Sequence, residues 1–438
     1  MDPTCDPTAE RIAEGLGFSC RHANAIVTFR DPFRLSNGTM PVLELLIVGG
    51  AVFALWHAWR RWRHDGDPAN LTLWFASVVY LAVIEPPLYF PGWFGLDRQV
   101  GFVFSHNVFT VQFMYDRLPL YIVAFYPALS QLAYELVRTL GVFARRGALG
   151  GALAVAFVCQ VFYEVFDQLG PQLRWWAWNP GDAKVNQPAL ASVPMNSMFL
   201  FASVSFGALT YLVVRLTSPS TSLAIAWRSV VAGALAPLAM LIAGAPAGAF
   251  QGPSHLTIQK TIIGIELAAV WIIGLALIAD SWRAPRTAPA PAPAPAALAP
   301  ASPAPAPARA SASASAPASA SASAPASAPA SAPASAPASA PASAPVPAPA
   351  PVPASAPPAA APAAASAPAP APATLFARTY PPIYLATLAA LWLTALPAYF
   401  AATNGVTSAG APIGSLWYST LCATAATGVI LAARHATR

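Results

Sequence analysis

The sequence predicts an all-α, polytopic transmembrane helix bundle of about nine helices, interrupted by a long disordered Ala/Pro/Ser linker. Three observations predict it. Of 438 residues, 56% are apolar and only 9% charged, where soluble globular chains carry roughly 25% charged residues. So little charge cannot cover a water-facing surface, and lipid has to solvate much of the chain. Nine apolar runs are each long enough to cross roughly 30 Å of hydrocarbon at about 1.5 Å per residue. Most of the 48 prolines fall in one low-complexity stretch and leave those runs intact.

Residues 1–40 read as an extracytoplasmic N-terminal tail. Asp2, Asp6, Glu10, Glu14 and Asp31 break any apolar stretch there, so no cleavable signal peptide is visible and the first span directs insertion. Cys5 and Cys20 lie in this tail. They either pair, if the tail faces an oxidising compartment, or stay free thiols. Cys159 and Cys422 fall inside apolar runs and read as small core residues.

A seven-helix transmembrane bundle is expected over 41–283, with runs at 41–59, 70–90, 119–137, 148–167, 194–216, 229–250 and 261–282. Pro41 opens the first run, and Arg60, Arg61 and Arg63 close it. Arg145 and Arg146 precede the fourth. The sixth and seventh runs are rich in small residues and nearly free of charge, and read as scaffold. Residues 284–374 are almost pure Ala, Pro and Ser. Such a segment cannot bury enough apolar area to offset its ordering entropy, and repeated Ala-Pro favours extended polyproline II. Residues 375–438 form a two-helix transmembrane hairpin, with runs at 383–402 and 413–433, that packs on the bundle or on another protein.

Basic residues collect on the cytoplasmic side of membrane proteins. With the N-terminus outside, the cytoplasmic connections hold Arg60, Arg61, Arg63, Arg138, Arg145, Arg146, Arg215, Arg228, Arg283, Arg286, Arg309, Arg378, Arg434 and Arg438. The opposite connections hold Arg98, Arg117, Arg174, Lys184 and Lys260. The tail dissents with Arg11, Arg21, Arg30 and Arg34. The expected setting is a bacterial-type plasma membrane, N-terminus out, C-terminus and linker cytoplasmic. No basic patch interleaves with aromatics, which excludes nucleic acid as a partner.

Ionisable residues inside spans are costly, so each is a functional candidate. Glu85 precedes Pro86 and Pro87 near the outer end of the second run. Gln160, Glu164 and Asp167 are spaced i, i+4, i+7, on one helix face. Asn196 stands at the start of the fifth run. A polar pocket at the outer half of the second to fifth runs is expected, with Glu85, Glu164 and Asp167 as proton donors and acceptors and Asn196 orienting a group. The competing expectation puts Glu164 and Asp167 idle at a solvated helix end. Glu135 reads as an interfacial pair with Arg138, His57 as interfacial, and His106 as a loop residue. Trp175, Trp176 and Trp178 form either an aromatic belt at the membrane interface or the mouth of a site for an apolar chain. No nucleotide loop, metal cluster or hydrolase elbow appears, so no cofactor is called for.

The order of these features resembles membrane proteins of carotenoid biosynthesis of the bisanhydrobacterioruberin hydratase type. The matching residues are Glu85, Leu118-Pro119-Leu120-Tyr121 with Tyr126-Pro127, then Glu164 and Asp167, Trp176-Ala177-Trp178, and Val193-Pro194 with Asn196. They span about 70–216. Pro86-Pro87 and a longer loop stand where the family has a Gly-rich segment. The resemblance implies addition of water to a terminal isoprenoid double bond, with Tyr121 and the three tryptophans against the substrate. Three function classes follow. One is an acid–base enzyme acting on an isoprenoid-type lipid. The second is a proton- or cation-coupled permease, which lacks the expected internal repeat. The third is a noncatalytic membrane scaffold. Membrane lipid is the surrounding partner in all three, and the sequence names no protein partner.

Overall fold

Each expected apolar run is a helix in the computed structural model, which describes residues 5–21, 23–30, 37–98, 100–101, 103–107, 110–179, 181–217, 221–283 and 372–437. Nine helices among these residues are long and apolar enough to cross a membrane. The chain is a multi-pass membrane protein. The Ala/Pro/Ser linker expected at 284–374 lies outside the described residues except for its last three.

In chain order the helices are α1 (Pro7–Gly15), α2 (Met40–Arg60, running into a π-helical turn, Arg61–Asp65), α3 (Ala69–Tyr89), α4 (Leu120–Thr139), α5 (Val142–Asp167), the short α6 (Ala183–Asn186), α7 (Ser205–Leu216, preceded by a π-helical segment, Ser197–Val204), α8 (Ser222–Gly248), α9 (Leu256–Arg283), α10 (Leu375–Phe400) and α11 (Leu416–Ala436). Several start where a side chain satisfies free N–H groups. Thr221 accepts from Ala224 N, Thr374 from Ala377 N and Ser415 from Tyr418 N. Those caps explain why α8 and α10 begin earlier than their apolar runs. Gly147, at φ 67°, kinks the chain inside α5, so its regular part begins where the fourth run was expected.

α4 and α5 are central: 89% of the apolar window of α4 is buried, against 22% for α9. Among the described residues, α8, α9 and α10 are the least covered spans and therefore present broad apolar faces to lipid.

The N-terminal tail is folded. Asp6 caps α1 through Thr8 N and Ala9 N, and Cys5 and Cys20 form a disulfide across it. Among the described residues, seven short strands tie the loops at that end of the bundle together, and β1 brings in the tail. β1 (Val27–Phe29) pairs antiparallel with β3 (Val111–Phe113), which pairs with β4 (Leu118–Pro119). β2 (Phe104–His106) pairs with β5 (Trp176–Trp178), and β6 (Ala189–Leu190) with β7 (Val193–Pro194).

The α10–α11 hairpin packs on the bundle. It belongs to the same compact unit as α1–α9. Gln172 Nε2 donates to Ala395 O at 2.8 Å, and Trp392 Nε1 donates to Val165 O at 3.1 Å. At Gly414 the backbone lies so close to Gln168 that a Cβ would overlap the Gln168 carbonyl.

Candidate functional site

Two carboxyl groups and a ring of aromatics meet at the strand-bearing end of the bundle. A cavity of about 60 Å³ lies between the last turns of α3 and α5, the start of α4, the β2–β5 pair and the segment before α7. That is room for a few water molecules. Glu85 and Asp167 both line it, together with Tyr126, Tyr163, Phe166, His106, Trp176, Trp178, Asn196 and Ser197. The partly exposed Leu88, Val185 and Phe201 mark its open side.

Each carboxyl is held by a hydroxyl. Tyr126 Oη donates to Glu85 Oε1 at 2.5 Å, and Ser197 Oγ donates to Asp167 Oδ2 at 3.0 Å. Glu85 Oε2 is buried beside the Tyr89 hydroxyl without a hydrogen bond of good geometry, so it is placed to hold or deliver a proton. The indole N–H groups of Trp176 and Trp178 also lack protein acceptors. Buried polar groups rarely stay unsatisfied, and water in the cavity is the natural partner for these three.

The β2–β5 register puts His106 opposite Trp176 and Phe104 opposite Trp178. Strand residues two apart share a face, so Trp176 and Trp178 reach the cavity together. Trp175 points elsewhere: its ring stacks on Phe166 at 5.6 Å, and its Nε1 donates to Thr39 Oγ1 at 2.9 Å. Tyr121 also lies off the cavity. Its hydroxyl donates to Trp175 O at 3.0 Å and sits 3.2 Å from His106 Nδ1. The Tyr121 proton is spent on that carbonyl, so the Tyr121 oxygen accepts from Nδ1–H. That bond assigns the His106 tautomer and leaves Nε2 as an acceptor.

Burial pushes His106 down to about 3, so the ring is neutral at pH 7. The consequence for stability has a definite sign. Between about pH 6.5 and 3 the unfolded chain binds a proton at this histidine that the folded chain does not, so acid destabilises the fold. At pH 5 the loss is about 2 kcal/mol. Thermal melts from pH 7 to pH 5 should show this fall in the native protein and a flatter profile in His106→Asn. Equal slopes would contradict the assignment.

Glu164 is the principal departure from the expected site. It is fully buried but does not line the cavity. One of its oxygens accepts from Gln168 Nε2 at 3.0 Å, and Gln168 in turn accepts from Ser415 N at 2.8 Å. Gln160, one turn away, donates to Tyr418 Oη at 2.5 Å. The i, i+4 pair Gln160 and Glu164 thus faces α11. Asp167, three residues further, is rotated by about 60° and faces the cavity. The idle, solvated alternative fails for both acids, which are buried.

A second polar cluster sits at the opposite end of the bundle. Glu135 is fully buried and bonded bidentately by Arg138, with Nε–Oε1 and Nη2–Oε2 both 2.9 Å. It also accepts from Asn70 Nδ2 at 3.0 Å and Thr374 Oγ1 at 2.7 Å, with His57 Nε2 at 3.4 Å from Oε2. The expected Arg138 pair is present, but it is buried rather than interfacial and welds α2, α3, α4 and α10 together. Saturated on both oxygens, Glu135 reads as structural. Two further membrane acids carried no signal in the sequence reading. Glu44 accepts from the Thr110 hydroxyl, and Glu266 lies half-buried beside Leu153, Phe199 and Val270.

Among the described residues, Cys5, Glu10 and Cys20 are the His/Cys/Asp/Glu group close enough to hold a metal ion. Both sulfurs are spent in the disulfide, and Glu10 accepts from Ser19 Oγ and Cys20 N. That trio does not fit a metal. No family model, curated relative or solved structure matches the chain.

Proposed function

We propose that the chain is a membrane enzyme that adds water to a double bond at the end of an apolar, isoprenoid-type chain. One observation carries the reading: Glu85 and Asp167 share one narrow, aromatic-walled cavity with room for water. Both carboxyls are buried, and burial in apolar surroundings disfavours a bare charge, so a carboxyl that keeps its proton at rest suits this site. Glu85, with no good hydrogen bond at Oε2, is the donor. Its proton goes to one alkene carbon, and the π electron pair forms the new C–H bond. The neighbouring carbon becomes cationic, which the rings of Tyr163 and Trp176 lining the cavity stabilise. A water lone pair closes the C–O bond, and Asp167 takes the proton that water releases. Alkene and water give alcohol, and proton exchange between the carboxyls resets the site. His106 and Asn196 hold the water, and the bulk of the substrate stays in lipid beyond Leu88 and Phe201. The resemblance to carotenoid hydratases points the same way.

Lipid and pigment extracts from cells expressing the native chain or Asp167→Asn test the reading. The native extract should contain isoprenoids heavier by one water, and the variant extract should lack them. Identical extracts would refute it.

The same proposal orients the chain. The strand-bearing end carries the disulfide, which suits an extracytoplasmic compartment. Arg60, Arg63, Arg138, Arg145 and Arg146 gather at the other end. An impermeant maleimide applied to intact cells should label a cysteine placed at Gly95 and not one at Gly66. The reverse pattern would invert the topology.

A further inference from the structure

Far from the carboxyl pair, where α10 begins and α11 ends, lies a second cavity of about 300 Å³. Its walls carry Arg378 from the first turn of α10, Arg434 from the last turn of α11, and Thr139 from the end of α4. Its floor is apolar, from Ala377, Ile430 and Ala433. We infer that this cavity binds a phosphoryl group, with Arg378 and Arg434 gripping its oxygens and the Thr139 hydroxyl donating from below.

Three observations support this. Both guanidinium groups are exposed, no carboxylate lines the cavity, and among the described residues neither arginine has a salt-bridge partner. Two like charges facing one hollow repel, and an anion between them removes that cost. Arginine is also the side chain whose planar fork matches phosphate oxygens. Second, Thr139 is fully buried, yet its Oγ1 has no protein partner. A buried hydroxyl without a partner costs about 1–3 kcal/mol, and an oxygen of the bound group removes that cost. Third, the N-terminus of α10 offsets the C-termini of α4 and α11 that also reach the cavity. The N-terminus of α10 adds a favourable dipole. The nearby end of α11 is blunted, because Thr437 Oγ1 donates to Ala433 O at 3.4 Å and to Arg434 O at 3.1 Å.

The apolar floor beside a polar rim suits a phospholipid headgroup with its first acyl carbons, and free phosphate offers the same chemistry without the tail. Purified full-length protein in a phosphate-free maltoside detergent, with or without added phosphatidylglycerol, distinguishes the two when melted with and without inorganic phosphate. Stabilisation by phosphatidylglycerol, weakened at least tenfold in apparent affinity by Arg378→Ala or Arg434→Ala, establishes a lipid site. Stabilisation by phosphate alone, lost in the same variants, establishes a soluble-anion site. Thr139→Val keeps the shape of the buried side chain and should weaken the same ligand while the protein still folds. No response to either probe, or equal responses in all variants, would overturn the inference.

Discussion

A chain ending at residue 288 is expected to yield no folded protein. From sequence the α10–α11 hairpin packs either on the bundle or on another protein, and in the structure it shares one compact unit with α1–α9. Removing the hairpin strips Gln172 of Ala395 O, Val165 O of Trp392, Gln168 of Ser415 N and Gln160 of Tyr418. Each orphaned buried polar group costs about 1–3 kcal/mol. Together they approach the whole net stability of a typical protein, about 5–15 kcal/mol. The compact unit comprises Met1–Ala288 and Ala367–Arg438. Supplying 367–438 as a separate polypeptide should therefore restore a protein that elutes and melts like the intact chain. Gly414→Val in that fragment should prevent restoration, because its side chain would overlap the Gln168 carbonyl. A truncated chain that melts cooperatively at the native temperature would show the hairpin to be peripheral.

The spans were readable because each is a local property: about twenty apolar residues bounded by arginine, proline or a polar cap. The acids of the site were readable for a related reason. Glu85 and Asp167 are conspicuous in apolar surroundings, as are Trp176 and Trp178 on alternate strand positions. What escaped the sequence depends on pairings far apart in the chain. His106 reads as a loop residue until β2 meets β5, 70 residues on, and places it opposite Trp176. Tyr126 becomes the partner of Glu85 only when α3 and α4 pack. The error over Glu164 has a geometric cause. Spacing of i, i+4, i+7 places three residues on one broad face, but a face of that width borders two neighbours. Trp175 stands just before β5, with its ring against Phe166 and its Nε1 on Thr39, so it does not join Trp176 and Trp178 at the cavity.

Glu85→Gln is expected to lower product formation by roughly a hundredfold or more, the usual worth of a positioned proton donor. The amide keeps the volume of the side chain, and its oxygen still accepts from Tyr126, so the fold should persist with little change in melting temperature. Only the transferable proton is lost. Glu164→Gln supplies the contrast. It also removes a buried carboxyl, but one that faces Gln168 and α11 rather than the cavity. Its amide avoids burying a charge that no cation balances, so the protein should be as stable as the native chain or more so, with product within a few-fold. Isoprenoid extracts measured beside melting curves separate the two roles. Loss of product in both variants would mean that the acids act as one unit and that the cavity reaches further into α5 than its walls suggest. Loss in Glu164→Gln alone would move the chemistry to the α5–α11 interface and leave Glu85 as a structural partner of Tyr126.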